Sequence, residues 1–408
     1  MTKTFINIGQ LLQIREANMP ILKGKAMANV PTLENAWLKV ENGLIKDYGQ
    51  MDTFAATDTE VVNLQGKMVC PTFVDSHTHL VFAADRDEEY VMKLKGMDYQ
   101  SIAAAGGGIV NSAKKLQETP FEELLAAARI RLSDAIAHGT GAIEIKSGYG
   151  LNVDAELKML RVIAQLKKEF SIPIKATFLG AHAFPNQDQE AYIKSIIEEM
   201  LPQIQNEQLA DYIDCFCEEG YYSVEQMDGI LKAGLQFGLK PKVHVNQFNA
   251  IGGIQKAIEH QAISVDHLEV LDENEIATLK ESSTVPVALP GCSFFLKIEF
   301  TPGRKIIDSG LPLVIASDFN PGSAPSFNMS FINSLACLKM GLMPQEAFNA
   351  STLNASFALE LENEVGSMTI GKRANFIVGK EGKNLNSISY NFANNWIEEV
   401  YIQGELYA

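Results

Sequence analysis

Val69-Cys70-Pro71-Thr72-Phe73-Val74-Asp75-Ser76-His77-Thr78-His79 begins apolar and ends in two histidines two residues apart. On a β-strand, side chains at i and i+2 leave the same face. His77 and His79 can therefore aim two imidazoles at one point, as two ligands of a divalent metal ion do. A lone His-x-His is more often incidental, so the rest of the chain must decide.

Outward from this stretch, short apolar strands alternate with helical segments, the pattern of βα units on a parallel sheet. The opening strand spans 70–77. Further strands are expected at 141–146, 174–180, 211–216, 242–246, 263–267, 285–289 and 312–318. Eight such strands predict an α/β fold, a (β/α)8 TIM-type barrel. One intervening helix is expected to start at an N-cap Thr119, with Pro120 in its first turn and Glu122 completing a capping box. Leu124, Leu125 and Ala128 give it an apolar face, and Gly139 stops it. The next helix carries Val153, Leu157, Leu160 and Ala164 in one stripe.

The flanks read differently. Strands are expected at 4–11, at 36–49 around the hairpin signal Glu41-Asn42-Gly43, and at 61–64. After a helical stretch near 344–360, residues 366–408 become strand-like again. The two ends are expected to pair into a small composite β-sandwich domain of residues 1–67 and 357–408, leaving 68–356 to the barrel.

The 408 residues are 46% hydrophobic and 21% charged, which fits a globular protein with a large core. A formal net charge of -16 makes nucleic acid and anionic membranes poor partners. It leaves open a small anionic substrate held by local Arg or Lys side chains. No apolar run reaches bilayer length, and Met1-Thr2-Lys3-Thr4-Phe5 does not open a signal peptide. The five scattered cysteines favour free thiols and a cytoplasmic setting. Cys215 and Cys217 have no second pair nearby and read as core packing. A homodimer is the base-rate expectation.

Chemistry in such a barrel sits at the C-terminal ends of its strands. His77 and His79 end strand one, His182 follows strand three, His244 lies in strand five, His267 ends strand six and Asp318 ends strand eight. Five of the seven histidines thus share one face; His138 and His260 sit near helix ends. Three imidazoles and a carboxylate can hold zinc or ferrous iron and leave room for water. His77, His79, His244 and Asp318 are the favoured ligands of one divalent metal ion, zinc or iron. A metal lowers the pKa of its bound water and so supplies a nucleophile at neutral pH. His267 is then available to move protons, together with Asp318. Lys146 and Lys175 are candidates for a carbamate bridge by composition only, so the centre reads as mononuclear.

The stretch Pro71 to His79 resembles the strand-one signature of the amidohydrolase superfamily, and the turn Gly371 to Asn375 resembles one in that superfamily's appended β-domain. Within it the chain resembles the imidazolonepropionase family. The likeness runs through His77-Thr78-His79-Leu80-Val81-Phe82-Ala83 with Arg86, Ala104 to Ile109, Glu144-Ile145-Lys146-Ser147-Gly148-Tyr149-Gly150-Leu151, Gly180-Ala181-His182, Ser264 to Leu268 and Ser317-Asp318-Phe319-Asn320-Pro321-Gly322. It implies hydrolysis of the cyclic amide of 4-imidazolone-5-propanoate to N-formimino-L-glutamate by metal-activated water. It also implies substrate contacts from Arg86, Tyr149 and His182, and from Asn320, Gly322 and Ser323 after strand eight. Arg86 suits a carboxylate through its paired N–H donors. Gly106 to Gly108 lacks the ending of a phosphate loop and reads as a mobile loop at the site mouth.

One position departs from the family pattern. Where many members carry His-x-x-Glu on strand five, this chain has His244-Val245-Asn246-Gln247, and Gln247 positions a ring but takes up no proton. A related deaminase of a nitrogen heterocycle is the competing reading; such an enzyme commonly has an acid near the strand-five histidine. A silent structural relative would usually have lost metal ligands, and all four stand here.

Overall fold

The computed structural model describes residues 2–16, 19, 21–55, 60–97, 107–185 and 188–408. Two eight-stranded sheets organise it. The first joins β1 (Thr2–Leu12), β2 (Thr32–Glu41), β3 (Leu44–Gln50), β4 (Glu60–Asn63) and β5 (Met68–Pro71) to strands from the other end of the chain. These are β14 (Phe376–Gly379), β15 (Ile397–Ile402) and β16 (Glu405–Leu406), in the order β16-β15-β14-β5-β1-β2-β3 with β4 beside β1. Asn42 and Gly43 turn the β2–β3 hairpin with φ of 53° and 79°, the left-handed pair that a tight hairpin turn needs. The sheet curls over a shared core. Phe5 of β1 and Tyr401 of β15 are separated by two strands, yet their rings lie 5.0 Å apart. The outer strand β3 reaches the turn before β14, where Ile45 N–H donates to Lys372 O at 2.8 Å.

The second sheet is the barrel: β6 (Phe73–Asp75), β7 (Thr140–Lys146), β8 (Ile174–Ala181), β9 (Tyr212–Cys217), β10 (Lys240–Val245), β11 (Ser264–His267), β12 (Val285–Ala288) and β13 (Val314–Ile315). All neighbouring pairs are parallel and in chain order. The ring closes just beyond β6 and β13, where Asp318 N–H donates to His77 O (3.0 Å) and His79 N–H to Phe319 O (2.8 Å). Both faces of most strands are buried, as parallel strands covered by helices require.

Three local expectations need correction. The single strand expected at 70–77 is broken at Thr72. Residues before it pair with β1 and β14, and residues after it start the barrel. Pro71 has no N–H to continue a ladder, and Thr72 N–H donates instead to Asn375 O. The last barrel strand is two residues long rather than seven, because the chain turns at Asp318, whose φ is +54°. Finally, the helix Phe121–Ala137 starts at Pro120 with no side-chain cap. Thr119 instead closes the preceding helix Gly108–Glu118 as its C-cap, its hydroxyl donating to Lys115 O at 2.7 Å, and it stands one residue before the N-cap position that Pro120 occupies. The stripe of the next helix along, Val153–Glu169, packs on the core as its spacing predicts.

Asn375 ties the two sheets together. Its amide donates to Gly141 O in β7 (3.1 Å) and accepts from Gln403 N–H (2.9 Å). A carboxylate there has no hydrogen to give to the Gly141 carbonyl.

Candidate metal centre and substrate pocket

His77, His79 and Asp318 converge, as do His77, His244 and His267; the ligand atoms of each group lie within 4.8 Å of one another, and all five residues are buried. Asp318 Oδ1 is 3.4 Å from His79 Nε2 and 3.6 Å from His77 Nε2. The partners fix the tautomers. His77 Nδ1–H donates to Asp266 at 2.6 Å and His244 Nδ1–H to Asp214 at 2.9 Å. That leaves Nε2 of both rings buried with no hydrogen-bond partner. Burial drives His77 far down and His244 to about 4, so both rings are neutral, with lone pairs turned inward. Two orphaned imidazole nitrogens beside a carboxylate fit a divalent cation and little else.

Beneath the imidazoles lies a layer of charge of which composition singles out only Lys146, as a carbamate candidate. Lys146 Nζ donates to Glu144 (2.6 Å) and Asp214 (2.9 Å) and lies 3.8 Å from Asp266. Lys242 pairs with Glu144 and donates to Ser76 O, and Thr177 donates to Glu144. All these charged side chains are fully buried. Burial would strip the proton from Lys146, but Asp214, Glu144 and Asp266 together raise its pKa, so it is a fixed ammonium and not a carbamate. Lys175 is elsewhere, over the Tyr212 ring. The available signal is polar or ionisable residues at alternate positions of strands otherwise buried on both faces: Glu144 and Lys146, Lys242 and His244, Ser264 and Asp266.

Above the imidazoles is a cavity of about 200 Å³ whose lining includes Arg86, Tyr149, His182, Gln247, Asn320, Gly322 and Ser323. Arg86 Nε donates to Ser112 Oγ (2.8 Å), while its Nη2 is buried and unpartnered. A Cβ on Gly322 would stand 2.7 Å from Arg86 Nη1, so a larger residue there would push the guanidinium aside. His182 stacks on His79 at 5.1 Å and donates Nδ1–H to Gly148 O. Asn320 is committed to its own loop: it donates to Asp318 O and accepts from Gly322 N–H and Ser323 N–H. Lys93, Phe216 and Tyr221 also line the cavity and were missed. Of the Gly106–Gly108 loop, Gly106 lies outside the described residues, as do Ala104 and Ala105. Gly108 N–H donates to Glu89 as a helix begins. His138 and His260 are remote, bonding to Asp134 O and Asp228 at helix ends.

The Amidohydrolase family profile matches residues 68–407. The chain belongs to the amidohydrolase family. Within it, the imidazolonepropionase of Flavobacterium johnsoniae is 50% identical over 404 residues, covering 98% of both chains. That of Christiangramia forsetii is 49% identical, covering 100% of both. The same fold is found in guanine deaminase from E. coli, with a TM-score of 0.76 at 15% identity over 100% of this chain and 98% of that one. It recurs in a triazine hydrolase variant, with a TM-score of 0.74 at 12% identity over 99% and 94%. These two show a fold shared across several chemistries.

His267 completes the site from the side. Its φ is +90° and that of Leu268 is +65°, two strained residues in succession, and Thr301 Oγ1–H holds the His267 carbonyl at 2.6 Å. Strain of this kind persists where the surroundings fix a side chain in a working position.

Proposed function

We infer that this chain hydrolyses the cyclic amide of 4-imidazolone-5-propanoate to N-formimino-L-glutamate, a step of histidine degradation. The observation that carries the reading is identity near 50% with imidazolonepropionases over the full length of both chains. His77, His79, His244 and Asp318 would hold one divalent ion, zinc or iron. Such an ion would activate water and polarise the ring carbonyl. The protein's own part is positioning and proton traffic. The unpaired Arg86 Nη2 receives the substrate carboxylate. Tyr149 and His182 flank the ring, and Gln247 orients it without exchanging a proton. Two protons move: one leaves the attacking water, and one arrives at the ring nitrogen released when the C–N bond breaks. We assign these transfers to His267 and Asp318, both in the buried imidazole cluster.

We read residues 1–67 and 357–408 as the composite β-domain and 68–356 as the barrel; the pairing of β5 with β1 and β14 favours moving the first boundary to Thr72. A cytoplasmic setting is supported by five free cysteines. We propose a homodimer, the commonest assembly of such chains, which sedimentation would test.

Freshly prepared imidazolone propanoate is the test substrate, followed by loss of the ring chromophore. Turnover that requires about one metal ion per chain and vanishes in His77→Ala is the expected result. Metal-loaded protein that leaves this substrate intact but releases ammonia from an aminated heterocycle would establish the deaminase reading instead.

A further inference from the structure

A second donor group stands beside the first. His267, Glu269 and Cys292 bring an imidazole, a carboxylate and a thiol within 4.8 Å of one another, all buried. His267 ends β11, Glu269 comes two residues later, and Cys292 sits in the first turn of the helix Pro290–Leu296. Glu269 is the telling member. Its Oε1 accepts from Ser293 Oγ–H at 2.9 Å, but Oε2 is buried with no hydrogen-bond partner, on a side chain only 1% exposed. His267 Nδ1 stands 3.5 Å from both carboxylate oxygens, a long ion-pair contact that leaves Oε2 without a hydrogen bond. An orphaned buried carboxylate oxygen is costly and calls for a positive charge.

Burial, with the nearby Asp318 and Glu269 carboxylates, keeps the Cys292 thiol protonated until a cation displaces its proton, but the sulfur does have a donor. Gln247 Nε2–H points at Cys292 Sγ from 3.3 Å. An N–H donor toward sulfur steadies a metal thiolate, whereas a glutamate at 247 would turn oxygen lone pairs on it. The residue that departs from the family pattern is thus the one that makes Cys292 a better ligand.

We propose that His267, Glu269 and Cys292 form a second metal site, separate from His77, His79, His244 and Asp318, which takes zinc, cadmium or cobalt when such an ion is in excess. The mixed nitrogen, oxygen and sulfur donors select borderline and soft divalent cations over magnesium or calcium. Ligation breaks the S–H bond of Cys292, forms the sulfur–metal bond and releases one proton to solvent. It also ties up His267, so occupancy inhibits turnover.

The test starts from protein carrying its resident metal and titrates it with Co2+. The expected result is one further ion per chain, one proton released, and a thiolate-to-cobalt charge-transfer band. Cys292→Ser should lose the band, and Glu269→Gln should weaken the added ion at least about tenfold; both should keep the resident metal. Excess zinc should slow the parent protein about tenfold or more and Cys292→Ser far less, each relative to its own rate. No added ion, an added ion without the band, a band that survives Cys292→Ser, or loss of the resident metal in both variants would each overturn the proposal.

Discussion

Lys146 and Lys372 are both buried, one in the floor of the barrel and one in the turn that leads into β14. Lys146 faces Glu144, Asp214 and Asp266, and their charge outweighs burial and raises its pKa. Lys372 donates to Val365 O (3.0 Å) and Ser367 Oγ (2.8 Å), which are neutral oxygens. There burial wins, and despite the charge of Glu362 its pKa falls to about 8. Depth alone sets neither outcome; the partners do. In the barrel, buried carboxylates hold two imidazoles in their ligating tautomers. In the β-sheet turn, the same side chain serves as a hydrogen-bond donor that can lose its proton.

The comparison breaks most severely at Lys146→Met. The substitution leaves Glu144, Asp214 and Asp266 crowded, with Lys242 as the remaining nearby ammonium. Removing one partner from a buried ion network costs about 3–5 kcal/mol. Denaturant unfolding should show a loss of that size, and a loss below about 1 kcal/mol would mean that the floor tolerates unpaired charge. Asp214→Asn should act more narrowly. It keeps the volume but loosens the Nδ1–H bond that fixes His244. Metal affinity should fall about 10- to 100-fold by competition with a chelator. If instead stability falls as far as in Lys146→Met while affinity holds, Asp214 serves only the charged floor and does not fix the His244 tautomer.

Much of this was legible because barrels write their sites at strand ends. His77, His79, His244, His267 and Asp318 could be found by strand counting and the two-residue period. The errors cluster where tertiary context overrides a local signal. Cys70-Pro71 and Phe73-Val74 looked like parts of one strand, because both pieces are apolar; only the pairing partners reveal the break at Thr72. Thr119 ends the helix behind it, and the next helix starts one residue later, at Pro120. The charged floor was hidden for another reason. Glu144, Asp214 and Lys242 lie far apart in the chain, and a lone charge in a strand carries no sign of its partner. Composition marks Lys146 only as a carbamate candidate, since the three carboxylates around it show in the geometry alone.

The mildest change sharpens the other side of the comparison. Lys372→Met removes a donor to two oxygens, one of which, Ser367 Oγ, keeps Thr369 as a partner. At pH 7 the lost hydrogen bonds and the relieved cost of a buried ammonium oppose each other, so stability should shift by about 1 kcal/mol or less. The pH dependence is the decisive readout. Between the folded pKa of about 8 and the ordinary 10.5, the unfolded chain holds a proton on Lys372 that the folded chain has released. Stability contributed by a depressed pKa is present above the unfolded value and is lost as pH falls through the folded one. The parent should therefore gain on Lys372→Met as pH rises from 8 toward 10.5, by at most about 1.4 kcal/mol per pH unit. Parallel stability curves over that window would show that Lys372 keeps its proton, and that the turn supplies it with as much compensation as the floor supplies Lys146.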